Sequence, residues 1–373
     1  MVIQRRLRLP SDRSVLLLGP RRVGKTTYLR DQLEGVDVWI DLLKTDEYLA
    51  YATRPALLRE RYAAGRGLVV IDEVQRLPDL LFEVHWLIEN SKRRFLLSGS
   101  SARALRRRGV TNLAGRLRTV RLFPLTWHEL GDRYDLLQRL QHGCLPPVVF
   151  ADDPADELRA YCGEYLREEI QAEGLVRSLA TFTRFLEAAA LANAQLVSYA
   201  PIASDCGVSA KTVQEYFQIL EDTLLGFRLE PWTRTKKRRA ILSPKFYFFD
   251  CGVPNVLLGR TLARKTPEFG HAFEHGMVLE TVAAAHYDRR FEKVRFWRSA
   301  SGFEVDLLLD DHTAVEFKSG NVHDSDTAGL RALGEEMRLK RKWVVCTEPV
   351  ARRLANGIEV LPWQEYLDRL RAL

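Results

Sequence analysis

The sequence predicts an α/β protein whose N-terminal third is a parallel sheet with helices on both faces. Two observations predict it. Over the first 130 residues, short continuously apolar runs alternate with helical-looking segments. Each run also ends at polar residues, as strands buried on both faces do. The runs are Val15–Leu18, Val36–Asp41, Leu68–Asp72 and Phe95–Ser98. After the first comes a glycine-containing turn and then a helix beginning near Lys25.

Beyond residue 130 the strand signal disappears. Charged and apolar residues recur at helical spacing, so residues 131–195 read as a helical lid or connector. Residues 196–252 carry a winged-helix pattern: helices Ala200–Asp205 and Ala210–Asp222, a turn capped by Ser209, and strands Phe227–Trp232 and Lys245–Phe249 around a basic tip. Residues 253–373 read as a further α/β domain. A long helix over about Glu274–Tyr287 precedes strands near Val294–Arg298, Val305–Leu309, Ala314–Lys318 and Trp343–Cys346.

Composition narrows the function classes. Lys plus Arg total 56 against 49 acids, for a net charge of +7 and a sequence pI near 9.2, which suits a polyanionic partner. The five cysteines are scattered with no CxxC pair, so a disulfide framework or structural zinc is not expected. No apolar run approaches the ~20 residues of a membrane helix, and a cytoplasmic location is expected.

Gly19-Pro20-Arg21-Arg22-Val23-Gly24-Lys25-Thr26, with Thr27 after it, fits the phosphate-loop pattern G-x-x-x-x-G-K-[ST]. It sits between a strand and a helix, where backbone amides can surround the phosphates of ATP. Lys25 would reach the β and γ groups, and Thr26 would ligate Mg²⁺. Leu68–Ile71 ends in Asp72-Glu73, with Asp72 expected on Mg²⁺ and Glu73 on the attacking water. Ser98 or Ser100 would sense the γ-phosphate. Arg116 is the expected completing cation, in trans if subunits assemble, with Arg118 and Arg121 as competitors.

The segments GPRRVGKTT, VVIDEVQRLP, LLSGSSARAL, LAGRLRTVRLFPLTWHEL and AVEFKSG together resemble a family of prokaryotic ATPases. Its members have an AAA+-type P-loop domain followed by a C-terminal region of unknown function. The resemblance spans nearly the whole chain and implies an AAA+-like core with Lys25, Thr26, Asp72 and Glu73 in the usual roles. The polar residue after the third strand is often Asn in AAA+ proteins, whereas here it is Ser98.

Two further constellations bear on function. In the winged-helix region, Lys211 on the second helix and Arg234, Lys236, Lys237, Arg238 and Arg239 at the tip are expected to meet DNA phosphates. A second cationic run, 103–108, would line a channel in a ring or form a solvated helix face. In the last domain, Asp306 and Glu316-x-Lys318 resemble the core of PD-(D/E)xK nucleases, with Glu280, or less favourably Glu274, as a further ligand. A second divalent metal would then bind there. The leading expectation is a Mg²⁺-dependent ATPase, a homo-oligomer with a ring as one arrangement, that remodels or translocates DNA, with branched DNA as a substrate by analogy of the nuclease-like fold. The alternatives are an ATP-gated nuclease and a nucleotide-dependent switch that binds a protein.

Overall fold

β1 (Ser14–Leu18) is buried at all five positions, and its neighbours explain why. In the computed structural model, which describes residues 3–101, 115–165 and 178–373, it runs parallel to strands on both sides. With β2 (Val36–Asp41), β3 (Arg66–Asp72), β4 (Lys92–Gly99) and β5 (Leu117–Arg121) it forms a five-stranded parallel sheet, ordered β2-β3-β4-β1-β5. Leu16 and Leu18 face a layer with Ile71 and Leu97, closed by helices Thr45–Thr53, Leu57–Tyr62 and Leu80–Asn90. Val15 and Leu17 face the other layer, with Tyr28 and Leu29 of helix Lys25–Gln32. Both faces being covered, the strands show no polar alternation.

β5 was not among the expected strands. Only Val120 of its five residues is buried, because it is the outer strand next to β1, so its sequence LRTVR has no apolar run to show. The basic run 103–108 lies outside the described residues.

The middle of the chain begins with helices Trp127–Leu130, Leu136–His142, Pro146–Val149 and Pro154–Ala160. Helices Leu179–Leu191, Tyr199–Cys206 and Ala210–Asp222 follow. Gly207 ends the second of these with φ 66°, and the Ser209 hydroxyl accepts the Thr212 N–H at 3.1 Å to start the third. Three strands, β6 (Gln195–Leu196), β7 (Gly226–Leu229) and β8 (Lys245–Phe248), pair antiparallel in the order β6-β8-β7.

The C-terminal domain is a mixed sheet of β9 (Val294–Arg298), β10 (Glu304–Leu309), β11 (Thr313–Lys318), β12 (Arg341–Cys346), β13 (Arg352–Arg353) and β14 (Glu359–Pro362). Its order is β13-β14-β12-β11-β10-β9. Helices Pro267–Asp288 and Trp363–Leu370 cover one face, and Ala328–Glu336 covers the other.

The connection from β7 to β8 departs from the expected wing. The strand expected to run to Trp232 stops at Leu229, and the chain then follows the edge of β9. The Trp232 N–H donates to the Phe296 carbonyl at 2.7 Å, Ile241 N–H to Arg298 O at 2.8 Å, and Ala300 N–H to Arg239 O at 2.8 Å. Trp232 itself is buried in the C-terminal core. An edge strand presents unpaired N–H and C=O groups, and this segment satisfies part of them.

One buried cation ties the three parts together. Arg5 donates through Nε to Glu129 Oε1 at 3.1 Å, through Nη1 to Val23 O at 2.9 Å, and through Nη2 to Phe123 O at 2.5 Å and the Tyr287 hydroxyl at 3.5 Å. Glu129 also accepts the backbone N–H groups of Arg6 and Thr126 at 2.8 and 2.9 Å. The Phe123 N–H donates to the Tyr287 hydroxyl at 2.9 Å. Replacing Arg5 with Met would strand the fully buried Glu129 carboxylate, a loss of about 3–5 kcal/mol. Chemical denaturation followed by circular dichroism should show that loss, while Arg13→Ala, in an exposed pair with Asp12, should leave the midpoint unchanged.

Candidate functional site

The phosphate loop leaves β1 at Leu18 and enters helix Lys25–Gln32. Gly19 is required there, since a Cβ would lie 2.7 Å from the Leu122 carbonyl, and Gly24 has φ 93°, which favours glycine. Lys25 is buried, and its Nζ donates back to the carbonyls of Gly19 and Pro20 at 2.9 and 3.0 Å, so its ammonium lies within the curl of the loop. Arg22, with φ 64°, forms an ion pair with Glu157 on helix Pro154–Ala160, which joins the loop to the helical region.

Strand register sets the acidic groups beside the loop. Leu17 and Leu18 lie opposite Ser98 and Gly99, and Ile71 lies opposite Leu97, so the ends of β1, β3 and β4 converge. Thr26 Oγ1 donates to Asp72 Oδ2 at 2.8 Å. A hydroxyl and one carboxylate are a suitable partial set for Mg²⁺, which takes the rest of its octahedron from phosphates and water. Ser98 was expected as a γ-phosphate sensor. Its hydroxyl donates to Asp72 Oδ1 and accepts the Glu73 N–H at 3.3 Å, so it bonds to both acidic residues. Glu73 sits at φ 58° with its carboxylate bonded to the Gln75 amide, which also reaches Ser100 Oγ at 3.1 Å. Gln75 was not singled out from the sequence, although its place two residues after Glu73 in DEVQ was the available signal.

Arg116 is not near this loop within one chain. Ser14 pairs with Leu117, so Arg116 precedes β5 at the opposite end of the sheet, about 16 Å of strand away, paired with Glu89. Arg121 is at the near end, opposite Leu18, and lines a crevice with Gly19 and Pro20. A separate cleft of about 250 Å³ opens beside Gly24 and Thr27. Ile3, Tyr28, Pro146 and Phe150 give it an apolar and aromatic lining.

Of the expected C-terminal residues, Asp306, Glu316 and Lys318 come together and Glu280 does not. Asp306 and Glu316 are buried close together: Asp306 Oδ2 accepts the Phe317 N–H at 2.8 Å, and Glu316 Oε1 accepts from Lys318 Nζ at 2.9 Å. Burial, then the nearby Glu316 charge, raises Asp306 well above the usual carboxylate range. Burial pushes Glu316 up to about 7 against the opposing pull of Lys318. The helix residue in this cluster is Glu274, not Glu280. Six residues separate them, about 120° around a helix, so both cannot face one centre. Glu280 instead accepts the Trp127 N–H at 2.7 Å in a cavity with Tyr134, Cys144 and Cys251, where burial pushes it up to about 8. Among the described residues, no group of three or more His, Cys, Asp or Glu is disposed to hold a metal ion.

The cation at this cluster, Lys245, is not among the residues the sequence reading singles out. A single lysine opening the apolar run KFYFF was the signal present.

The expected DNA contacts divide. Lys211 is exposed on helix Ala210–Asp222, as are Arg234, Lys236, Lys237 and Arg239. Arg238 is committed elsewhere, with Nη1 and Nη2 on Glu336 and Glu335 at 3.2 and 2.9 Å. The Lys236 and Lys237 N–H groups donate to the same Glu336, at 2.6 and 2.7 Å. This explains why the segment lies flat on the C-terminal domain.

Sheet order, loop and acidic pair define a P-loop protein of the AAA type, and a family model described as an AAA domain matches residues 11–131. Two models described as domains of unknown function match the rest, DUF8612 over residues 133–264 and DUF4143 over 269–366. The uncharacterized protein Rv2008c of Mycobacterium tuberculosis is 32% identical over 305 residues, spanning 79% of this chain and 67% of its own; the uncharacterized protein Mb2031c of Mycobacterium bovis has the same figures. The chain belongs to one family with these two proteins, as an AAA domain followed by DUF8612 and DUF4143. A solved structure of the Aeropyrum pernix ORC1 protein in complex with DNA aligns with 66% of this chain and 87% of its own, at 13% identity and a TM-score of 0.28. Among the described residues, no helix is long and apolar enough to cross a membrane.

Glu280 gives a pH test of the domain junction. Its folded pKa lies above the unfolded value of 4.5, so the folded state holds a proton that the unfolded chain releases. Its contribution to stability is therefore complete below about 4.5 and is lost as pH rises through about 8. Glu280→Gln should melt progressively higher than the parent as pH rises from 6 to 8.5. A difference in melting temperature that stays flat with pH would count against a neutral, buried Glu280.

Proposed function

We propose that the protein is a Mg²⁺-dependent ATPase whose turnover repositions its middle and C-terminal parts on a DNA backbone. The observation that carries the ATPase reading is the hydrogen-bonded chain Thr26–Asp72–Ser98–Glu73 at the mouth of the phosphate loop. Thr26 and Asp72 are the residues to hold Mg²⁺, which would neutralise charge on the β and γ oxygens. Lys25 would exchange the Gly19 and Pro20 carbonyls for phosphate oxygens. The apolar cleft beside Thr27 suits the adenine ring. Glu73, once released by Gln75, would orient the attacking water, and the place of Arg116 at the far end of the sheet favours action on a neighbouring subunit's site.

DNA is the polyanion proposed because helices Tyr199–Cys206 and Ala210–Asp222 pack beside the sheet β6-β8-β7, the helix–turn–helix–strand order that a winged helix has up to β7. Arg234, Lys236, Lys237 and Arg239 are exposed on the segment that follows β7. Contacts of this kind read the backbone and carry no sequence information. A second reading, a nucleotide-dependent switch that binds a protein, draws on Phe82 and Trp86, which are 53% and 40% exposed one turn apart on helix Leu80–Asn90.

Two experiments test the proposal. Lys25→Ala should abolish ATP binding, whereas Glu73→Gln should bind ATP and turn it over on the order of 10²–10⁴ more slowly. Normal hydrolysis by Glu73→Gln would remove Glu73 from the mechanism. Neutralising Arg234, Lys236, Lys237 and Arg239 together should weaken duplex binding for all sequences alike. The slope of log K against log salt should fall by roughly 0.9 per lost contact. A slope that does not move would take this segment off the DNA.

A further inference from the structure

The Lys245 ammonium is buried among carboxylates from another part of the chain. Its Nζ lies 2.6 Å from Glu304 Oε1, 2.9 Å from Glu274 Oε1 and 3.8 Å from Asp306 Oδ1. The lysine comes from β8, Glu274 from helix Pro267–Asp288, and Glu304 and Asp306 from β10. The Tyr247 hydroxyl, on the same face of β8, donates to Glu274 Oε1 at 2.8 Å.

The strand that delivers Lys245 is held firmly. Phe246 and Phe248, its alternate residues, are fully buried in the middle core. The Phe248 N–H donates to Asn193 Oδ1 at 2.9 Å, and its carbonyl bonds His275 Nε2 at 2.7 Å. The ammonium is thus presented by a strand packed on both faces and is itself buried. β10, for its part, is irregular between Val305 and Leu308, and such a bulge re-aims the side chains it contains, here Asp306. Glu316 adds a carboxylate oxygen, Oε2, that is buried with no hydrogen-bond partner.

We infer that Lys245 is the resident cation of this centre: its ammonium fills the position among Glu274, Glu304 and Asp306 that a divalent metal would need, and the carboxylates form a metal site only when it is removed. Distance supports the assignment: one ammonium lies 2.6–3.8 Å from carboxylate oxygens of two elements, so an added cation would have to displace it. Buried carboxylates in this number demand compensation from some cation, so the lysine is also a fastening between β8 and the C-terminal domain. The inference does not rest on the ATPase reading, and it counsels against metal-dependent cutting at Asp306 while Lys245 is in place.

The test is Mn²⁺ titration of nucleotide-free full-length protein, read by the electron paramagnetic resonance signal of free Mn²⁺. Wild type should bind no Mn²⁺ that Asp306→Asn removes. Lys245→Gln should gain one Mn²⁺ per chain, lost again in Lys245→Gln/Asp306→Asn, and Mn²⁺ should raise its melting temperature but not that of wild type. An Asp306-dependent Mn²⁺ in wild type overturns the inference, as does a folded Lys245→Gln that gains none. If Lys245→Gln folds only with metal present, recovery of its native circular dichroism in Mn²⁺ supports the inference. Failure to recover at any Mn²⁺ concentration overturns it.

Discussion

The structure depends on a guanidinium that has no route back to water. Arginine cannot shed its proton, and its five N–H donors each need an acceptor when buried. Arg5 finds four such acceptors in three places: Val23 of the phosphate loop, Phe123 and Glu129 of the segment after β5, and Tyr287 near the end of the long C-terminal helix. None of these is close in sequence to the others. The loop that surrounds Lys25 is therefore bonded from behind to the far end of the chain, and a shift in Val23 is felt at Tyr287 through one side chain.

What could be read from the sequence was local. The phosphate loop and the acidic pair are contiguous patterns in which strand, turn and helix signals coincide within a few residues. Two helices of the middle region were visible because Gly207 and Ser209 mark their junction. Partners brought in from a distance were not visible. Glu274 and Glu280 are equally acidic and equally helical, and only packing tells which faces Asp306. Lys245 reads as an oddity in an apolar strand until the carboxylates around it are known. The basic tip looks like a solvated wing because the Glu335-Glu336 pair that holds Arg238 lies about a hundred residues further on.

β8 shows why the parts are hard to divide. Its alternate residues serve two cores, with Phe246 and Phe248 in the middle one and Tyr247 in the C-terminal one. Strand periodicity makes this inevitable once both faces are covered. His275 adds a bond from the long helix to the Phe248 carbonyl, and burial pulls its imidazole down to about 4, so it packs there as a neutral ring. Motion transmitted from the ATPase domain would thus move the middle and C-terminal parts together unless β8 itself is released.

The segment 231–241 along β9 also has a consequence for how the chain can be cut. A fragment beginning near residue 253 would keep the six-stranded sheet but lose its cover, together with Trp232 and the arginine that Glu335 and Glu336 hold. The bare strand, VRFWR, is short and regular, and its side chains Phe296 and Trp297 are fully buried in the whole protein. Such a fragment offers a template for another copy to add a strand, so it would tend to pair with itself or precipitate. A fragment that keeps this cover would have to start upstream of Pro231.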